Sequence, residues 1–207
     1  LKSLFQANSG IQALAFDPHT YQGQAPRIAV VASVDQHVIV ELNSTPNFGE
    51  ILQSQGLVCA TDAKLHHRIL LENFGVGPER WACIQLIESL LAGGIQRDTG
   101  PEAAALRYNL GPLPSPELSF ESMGAYGQAI AQIVAAQIPH IRNSGLGHVS
   151  KLEAAAVAPI AEMEFYGMCI DATNWRSITA EALSEKDSIS EKIKKHLNKH
   201  LPHDLFG

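Results

Sequence analysis

Residues 27–42 have the sequence RIAVVASVDQHVIVEL, and this stretch decides the class of fold. Two apolar runs rich in β-branched residues, at 27–34 and 37–42, flank Asp35 and Gln36. Runs of this length and composition form strands, and a two-residue connection between them suits a tight hairpin. The stretch therefore predicts two antiparallel strands, and with them a sheet at the centre of the fold.

Further strand and helix signals lie on either side of the hairpin. An apolar run at 11–16 follows an Asn-Ser-Gly turn signal at 8–10, and another strand is expected at 56–60. A short helix is expected at 46–53, and a second helix, of regular helical spacing, stops at Gly75. Three strands in a meander followed by strand–helix units predict a mixed sheet covered by helices, which is an α/β fold.

The rest of the chain has helical periodicity. A loop at 111–116 contains three prolines, and helices are expected at residues 83–94, 103–110, 119–141, 151–166 and 171–200. We expect a boundary near residue 148, which separates a compact body at 1–148 from a helical extension at 149–207.

The composition excludes a disordered chain and argues against a dedicated nucleic-acid binder. Hydrophobic residues make up 45% of the 207 residues, and 15 Lys and Arg against 21 Asp and Glu leave a formal charge of −6. Proteins that depend on phosphate contacts usually carry a basic excess. Five of the 15 cations lie between Lys186 and Lys199, so the acidic balance belongs to the expected body.

Compartment and processing are inferred from what the sequence lacks. The three cysteines are widely spaced and form neither a CxxC pair nor a disulfide framework, which favours a reducing, cytoplasmic setting, or an organelle if the source is eukaryotic. There is no signal peptide, and no apolar run reaches the length of about 18 residues that a membrane span needs. Because the chain begins at Leu1 rather than Met, we expect a piece of a longer protein.

Residues 152–171, LEAAAVAPIAEMEFYGMCID, resemble the segment that joins the exonuclease and polymerase domains of the DNA polymerase I family. In that family a helix with an internal proline, here Pro159, ends in a Glu-Met-Glu pattern followed by a glycine and an aspartate. The matching residues are Glu162, Met163, Glu164, Gly167, Ile170 and Asp171. Gly167 suits the end of one helix, and Asp171 suits the N-cap of the next.

The resemblance extends over most of the chain, from about residue 10 to residue 207. The stretch 105–111, ALRYNLG, is similar to the family's helix that ends in Tyr-Leu-Gly, and 83–94 resembles the helix before it. The resemblance implies the ribonuclease H-like fold of a 3′–5′ exonuclease. It also implies that a polymerase domain of the same parent chain is the partner of this domain, although no polymerase motif lies within these residues.

The family's exonuclease site uses four carboxylates that hold two metal ions about 4 Å apart. Mg²⁺ and Mn²⁺ prefer oxygen ligands, which explains the choice of Asp and Glu. The positions that correspond to the three catalytic motifs are Asp17, His19, Asp62, His66, Tyr126 and Ile130. Of the four metal carboxylates only the one at Asp17 is kept, because Asp62 stands where the family has Asn.

The lost carboxylates predict a catalytically inactive exonuclease-like domain that acts as a structural scaffold in DNA replication or repair. One carboxylate cannot compensate the repulsion between two divalent cations, so no cofactor is expected, and Mg²⁺ or Mn²⁺ would matter only for residual activity. Two alternatives remain open. One is a weak or altered nuclease that uses Asp17, Asp62 and the histidines, and the other is a module that binds nucleic acid without cutting it.

Asp17, His19 and His66 also allow a different metal hypothesis. Two imidazoles and a carboxylate are ligands that suit a single Zn²⁺ or Mn²⁺ ion. The simpler interpretation is a former catalytic pocket that now holds hydrogen-bonding side chains, so no metal is expected.

Two basic clusters are candidates for phosphate contact. His66, His67 and Arg68 begin a helix, where a solvated face is the simpler interpretation. The C-terminal cluster consists of Lys192, Lys194, Lys195 and Lys199. It suggests weak DNA binding, although a Lys-rich amphipathic helix is usually a soluble surface.

Two aromatic residues and one thiol are expected to be structural. Trp81 and Trp175 offer stacking surfaces for bases, but with few aromatics and a negative total charge we predict that both pack in a core. Cys83 is predicted to be a buried thiol.

Overall fold

The structure is a computed structural model that describes residues 11–53, 57–95, 97–116 and 119–200, with side chains up to residue 197. The predicted turn at 8–10 and the first residue of the strand predicted at 56–60 lie outside the described residues.

Five strands form one mixed sheet. They are β1 (Gln12–Phe16), β2 (Ile28–Ala32), β3 (His37–Glu41), β4 (Val58–Ala60) and β5 (Trp81–Cys83). The spatial order is β3-β2-β1-β4-β5, in which β1, β2 and β3 pair antiparallel while β4 runs parallel to both β1 and β5. The prediction of a meander followed by strand–helix units is confirmed.

The hairpin predicted at 27–42 is formed by β2 and β3. Val30 lies opposite Ile39 and Ala32 opposite His37. The backbone N–H of Ser33 donates to the carbonyl of Gln36 at 2.7 Å, which closes the turn between the strands. The β-branched residues on either side of this turn fix the register, as expected for a sheet that is buried on both faces.

Seven α-helices surround the sheet or follow it within the described residues. They are α1 (Phe48–Gln53), α2 (Ala63–Phe74), α3 (Ile84–Ala92), α4 (Pro101–Arg107), α5 (Phe120–Asn143), α6 (Gly147–Tyr166) and α7 (Ala172–His200). Two short 3-10 helices, Pro18–Gln22 and Leu42–Ser44, follow β1 and β3.

Apolar residues of the strands alternate between two cores. Leu14 and Val31 point to the face that packs on α2 and α6, whereas Ala13 and Val30 point to the face covered by α3 and α5. Successive side chains on a strand point to opposite faces of a sheet, so an uninterrupted apolar strand indicates helices on both sides. This is the observed arrangement, and it explains why the strands are apolar throughout.

Two glycines let α5 lie directly on the hairpin. A Cβ at Gly124 would overlap the imidazole of His37, and a Cβ at Gly127 would lie 2.7 Å from Val30 Cγ1. His37 also bonds to α5 through Nδ1, 3.1 Å from Gln128 Oε1. The close approach brings α5, which carries two of the former motif positions, against the centre of the sheet.

Helix α6 packs on α2, and two glutamates of the junction pattern take part. Glu164 Oε1 lies 2.8 Å from Lys64 Nζ, and Glu162 Oε1 lies 3.7 Å from His67 Nε2. Val157, on the same helix, is buried in the core between α6 and the sheet. These contacts give the Glu-Met-Glu pattern a structural role in fixing α6 to the body.

The compact unit therefore ends at Tyr166, at the end of α6, and not near residue 148. The second unit begins at Gly167, whose φ of 67° is the left-handed conformation that suits a glycine at a helix end. Asp171 then caps α7, since its Oδ1 accepts from the backbone N–H groups of Thr173 and Asn174 at 3.0 and 3.1 Å. The roles predicted for Gly167 and Asp171 are confirmed.

The two tryptophans differ in their environments. Trp81 is fully buried on β5, as predicted, but Trp175 is 62% exposed on α7. The core prediction for Trp175 is wrong because the described part of the second unit, residues 167–200, has one helix and no buried side chain among residues 167–197. None of the helices in the described residues is long and apolar enough to cross a membrane.

Candidate functional site

Two of the predicted motif positions, Asp17 and Asp62, lie where β1 and β4 end. Asp17 directly follows β1, and Asp62 follows β4 and caps α2. Because β1 and β4 are neighbouring parallel strands, their carboxyl ends lie at the same edge of the sheet. Tyr126 and Ile130 belong to α5, which packs on β1 and β2.

Asp17 is nearly buried, and its carboxylate is already hydrogen-bonded. Oδ2 accepts from the backbone N–H groups of Arg27 and Ile28 at 3.0 and 3.2 Å. Ile28 is the first residue of β2, so this carboxylate holds the start of that strand against the end of β1. Asp17 therefore has a structural role independent of any metal.

Asp62 is likewise used by the backbone. Its Oδ1 accepts from the N–H of Leu65 at 3.1 Å, which is a standard N-cap interaction for α2. Its main-chain carbonyl receives a bond from the His66 ring, with Nδ1 at 2.7 Å. Both remaining carboxylates of the site thus serve backbone hydrogen bonds.

His66 is buried, and its hydrogen bonds define its protonation state. Because the carbonyl of Asp62 can only accept, Nδ1 must carry the proton, and Nε2 is left as an acceptor. The ring stacks on Phe16, with centroids 5.6 Å apart. Burial lowers the pKa of His66, while the bond to the Asp62 carbonyl and the Asp62 charge partly offset that effect. His66 is therefore a neutral imidazole with one free lone pair.

The hydroxyl of Tyr21 bonds to that lone pair of His66. Sequence reasoning did not identify Tyr21 as a site residue. Its hydroxyl oxygen lies 2.9 Å from His66 Nε2 and 3.1 Å from the backbone nitrogen of Phe16. The hydroxyl therefore donates to the imidazole and accepts from the end of β1. Burial raises the pKa of Tyr21 well above its ordinary value, and nearby Tyr126, Asp17 and Asp62 raise it further.

The position of Tyr21 follows from the short 3-10 helix Pro18–Gln22. Pro18 is suited to the first position of a helix, and Gly23 ends the helix with a φ of 86°. This tight turn brings the phenol back over the end of β1. Pro18 next to Asp17 and Gly23 five residues later are the sequence signals from which the turn, although not the buried hydroxyl, could have been found.

Ile130 and Tyr126 form an apolar wall at the site. Ile130 is fully buried among the residues of the core between α5 and the sheet. Burial raises the pKa of Tyr126 to about 12, and the charge of Glu102 adds to the effect. At the position where the sequence resemblance implies a metal carboxylate, this chain has a core side chain.

His19 lies beside Asp17 on the wall of an open cavity of about 530 Å³. The lining residues are Asp17, Pro18, His19, Gln22, Ile28, Pro116, Ser119, Phe120 and Met123. His66 is not among them and is buried. Within the described residues, no three His, Cys, Asp or Glu side chains come together as a metal site, and so Asp17, His19 and His66 do not form the hypothetical cluster.

The donor set does not fit two metal ions. Two carboxylates remain, each already accepting backbone N–H groups, and Ile130 supplies no ligand atom. No chemical step through bound metal is derived from this arrangement.

The histidine cluster at the start of α2 is not a solvated face. His66 and His67 are 1% and 2% exposed, whereas Arg68 is exposed, so the prediction is wrong for the two histidines. His67 Nδ1 accepts from Trp81 Nε1 at 3.1 Å, and burial lowers its pKa while Glu162 partly offsets the shift. Helical spacing did not reveal this burial because both histidines face α6 or the sheet rather than solvent.

The lysine cluster lies on α7, in the second unit. Lys192, Lys194 and Lys195 are exposed there, and the side chain of Lys199 lies outside the described residues. Lys194 Nζ pairs with Glu191 Oε1 at 2.9 Å. Cys83, in contrast, is the predicted buried thiol, whose pKa is raised by burial.

A buried carboxylate far from the motif positions was also missed. Glu88 on α3 is fully buried and pairs with Arg107 and, at 3.4 Å, with Arg97. Tyr108 donates to it at 2.5 Å and Gln137 at 2.9 Å. The cluster joins α3, α4 and α5, and its members are too far apart in sequence to form a recognisable motif.

No family model matches the chain, and no curated protein matches it. Solved structures do. An "apo form of the nuclease" superimposes with a TM-score of 0.65 at 12% identity, over 83% of this chain and 94% of that chain. NrnC of Brucella melitensis with bound Mg²⁺ gives 0.61 at 13% identity, over 78% and 90%, and NrnC bound to pGG gives 0.61 at 13%, over 78% and 89%. The predicted fold is confirmed: this chain has the ribonuclease H-like fold of 3′–5′ exonucleases.

Proposed function

We propose that this chain is a catalytically inactive 3′–5′ exonuclease-like domain of a DNA polymerase I-like protein, retained as a structural scaffold in DNA replication or repair. The nuclease fold is the general part of this statement. The inactivity and the polymerase context are the specific parts, and each needs its own support and its own test.

Inactivity is supported by the charge that the site can offer. Two divalent cations held about 4 Å apart repel strongly unless several carboxylates surround them. Asp17 and Asp62 supply two negative charges, whereas His66 is neutral and Ile130 is apolar. The site lacks the compensation that two-metal hydrolysis requires.

The observation that carries the proposal is the bond between Tyr21 and His66. The phenol hydroxyl is satisfied on both sides, by His66 Nε2 and by the N–H of Phe16. A ligand that displaced this hydroxyl would leave His66 Nε2 and the N–H of Phe16, both in buried residues, without partners, at a cost of about 1–3 kcal/mol for each unsatisfied atom.

The activity test is trimming of 3′-labelled single-stranded DNA in Mg²⁺ or Mn²⁺. We expect no trimming above a protein-free control. The matched variant is Asp17→Asn, because an asparagine oxygen can still accept from Arg27 and Ile28 while the negative charge is lost. Trimming by the unmodified chain that disappears in Asp17→Asn would overturn the inactivity and favour the altered-nuclease alternative.

The polymerase context is supported by the junction pattern and by its structural role. Glu162 and Glu164 fix α6 to α2, and Asp171 starts α7. The test is the sequence of the parent transcript beyond Gly207. Polymerase palm motifs in that continuation support a scaffold for a polymerase domain, and an unrelated continuation contradicts it.

The cavity beside Asp17 favours a second candidate, a module that binds nucleic acid without cutting it. Phe120 on its wall is 61% exposed, and an exposed aromatic ring can stack on a base. A gel shift with single-stranded DNA at increasing salt tests this function, because binding through phosphates weakens steeply as salt rises. No shift at low salt, or a shift unchanged in Phe120→Ala, contradicts it.

A further inference from the structure

The cavity beside Asp17 is lined by a carboxylate of which only one oxygen is used by the protein. Asp17 is 9% exposed, and its Oδ2 accepts both backbone bonds, from Arg27 and Ile28. Within the described residues, Oδ1 accepts no hydrogen bond, and Asp17 forms no ion pair. A nearly buried charge is costly unless hydrogen bonds or an opposite charge compensate it. A ligand in the cavity could therefore supply the donor that Oδ1 lacks.

The charges around the cavity favour a cationic ligand. None of the described lining residues is a Lys or Arg. Ser119 caps α5 at the cavity wall, and Glu121 in the first turn of α5 offsets the positive end of the helix dipole there. The compact unit as a whole, residues 1–166, has nine Lys and Arg against 15 Asp and Glu. An anion would thus meet the Asp17 carboxylate without a lining cation to compensate it, whereas a cation would be attracted.

The walls of the cavity indicate which kind of cation fits. Phe120 is 61% exposed, and Ile28 and Met123 add apolar surface beside it. A guanidinium group is planar and weakly hydrated, so it stacks on an aromatic ring while its N–H groups donate to a carboxylate. An ammonium group is strongly hydrated and gains less from an apolar wall. The combination of Asp17 and Phe120 therefore fits a guanidinium group best.

The shape of the cavity favours a side chain that enters from outside. Its volume is about 530 Å³, and it is open to solvent beside the exposed ring of Phe120. Sites for small molecules usually enclose most of the surface of the ligand. An open cavity of this kind leaves room for the main chain of a protein whose arginine side chain reaches Asp17. Charge complementarity with the acidic body favours a basic partner of the same kind.

We propose that the cavity beside Asp17 binds an arginine side chain of a basic partner protein, with the guanidinium group donating to Asp17 Oδ1 and stacking on Phe120. This site goes beyond the proposed function, and it depends neither on the loss of nuclease activity nor on the polymerase context. It also differs from the nucleic-acid candidate for the same cavity, because the ligand is a cation rather than a phosphate chain.

Titration of the full chain with N-acetyl-arginine amide, followed by two-dimensional NMR, tests the site. The backbone amide signals of Ile28, Ser119 and Phe120 should shift and saturate, with a dissociation constant on the order of 1 mM for so small a probe. N-acetyl-citrulline amide is the matched ligand, because it has nearly the same shape without the charge. It should bind at least about fivefold more weakly, since hydrogen bonds between charged groups are the stronger ones. Equal binding of the two probes overturns the proposal.

Two variants assign the contacts. Asp17→Asn keeps an oxygen for the backbone bonds of β2 but removes the charge, and it should weaken binding of the arginine probe at least about fivefold. Asp35→Asn is the control, because Asp35 is exposed in the hairpin turn and does not line the cavity. Phe120→Ala should weaken binding about two- to fivefold by loss of stacking, and Phe165→Ala on α6 should not. Equal losses in Asp17→Asn and Asp35→Asn would indicate general attraction to an acidic surface and overturn the site.

The same titration with a short oligothymidylate separates this site from a nucleic-acid site. Asp17→Asn should weaken binding of the arginine probe, whereas the loss of a negative charge should strengthen binding of a phosphate chain. Shifts of the cavity amides with the oligonucleotide and none with the arginine probe overturn the proposal and favour the nucleic-acid candidate. No shift with either probe also overturns it, while the assay of 3′-end trimming tests the proposed loss of nuclease activity separately.

Discussion

The hydroxyl of Tyr21 lies 2.9 Å from Nε2 of His66, and this bond fills the place to which the ends of β1 and β4 converge. Tyr21 is 42% exposed, but its hydroxyl oxygen supplies the partner that the buried imidazole of His66 and the buried N–H of Phe16 each need. Asp62 sets the tautomer of His66, and the tautomer in turn makes Tyr21 the donor. Asp62, His66 and Tyr21 thus form one hydrogen-bonded group, and the N–H of Phe16 ties it to β1.

Tyr21→Phe should destabilise the protein by about 1–3 kcal/mol. The substitution removes one oxygen and leaves two buried atoms, His66 Nε2 and the N–H of Phe16, without partners. Urea denaturation measures the change. Tyr166→Phe is the control, since Tyr166 is 73% exposed, and it should change stability by less than about 0.5 kcal/mol. Equal effects of the two substitutions would show that the hydroxyl of Tyr21 contributes nothing specific.

The free energy of unfolding should decrease as the pH falls below neutral. Burial lowers the pKa of His66 and of His67 in the folded protein, so the unfolded chain takes up protons near pH 6.5 that the folded chain does not bind. Stability is therefore complete above that pH and is lost below it, at up to about 1.4 kcal/mol per pH unit for each histidine.

Denaturation from about pH 8 to about pH 5, on either side of the ordinary histidine pKa, measures this slope. His66→Gln should reduce it by the share of one histidine, because His66 is one of the two buried histidines whose pKa is lowered by burial. A slope that is the same in His66→Gln and in the unmodified chain contradicts the assignment.

More of the sheet than of the candidate site could be predicted from the sequence. The hairpin at 27–42 was predictable because β-branched runs and a two-residue turn act locally. The strand β5 (Trp81–Cys83) was missed because its three residues are too few to show an alternating pattern and run directly into α3. Tyr21 was missed for a different reason: its partners are contributed by β1 and α2, and no spacing along the chain encodes that contact.

The burial of polar residues could not be predicted from the sequence either. His66, His67 and Glu88 belong to types that are usually exposed, and each is buried because partners from other elements satisfy it. Trp175 shows the reverse case, an aromatic residue left exposed on a single-helix unit. Only the three-dimensional arrangement decides these positions.

Glu88→Gln should lower the free energy of unfolding by about 1–3 kcal/mol. It removes the charge that pairs with Arg97 and Arg107, each 30% exposed, and the amide cannot accept all the hydrogen bonds that the buried carboxylate accepts. The midpoint of thermal unfolding measures the loss. Glu72→Gln, on the exposed face of α2, is the matched control and should shift the midpoint little. A comparable midpoint in both variants would mean that Glu88 is not required for the stability of the α3–α5 packing.

The approach of α5 to the sheet should depend on the missing side chain at Gly124. Gly124→Ala places a Cβ into the imidazole of His37, so either His37 must leave its bond to Gln128 or α5 must move off the hairpin. We expect the free energy of unfolding to fall by about 1–3 kcal/mol because of overpacking, although alanine is a better helix former than glycine. Gly147→Ala separates the two effects, because Gly147 begins α6 with nothing within 4 Å of its Cβ position. In urea denaturation, Gly147→Ala should be neutral or should stabilise the protein by up to about 1 kcal/mol. If Gly124→Ala also stabilised the protein, α5 would not lie as close to β3 as described.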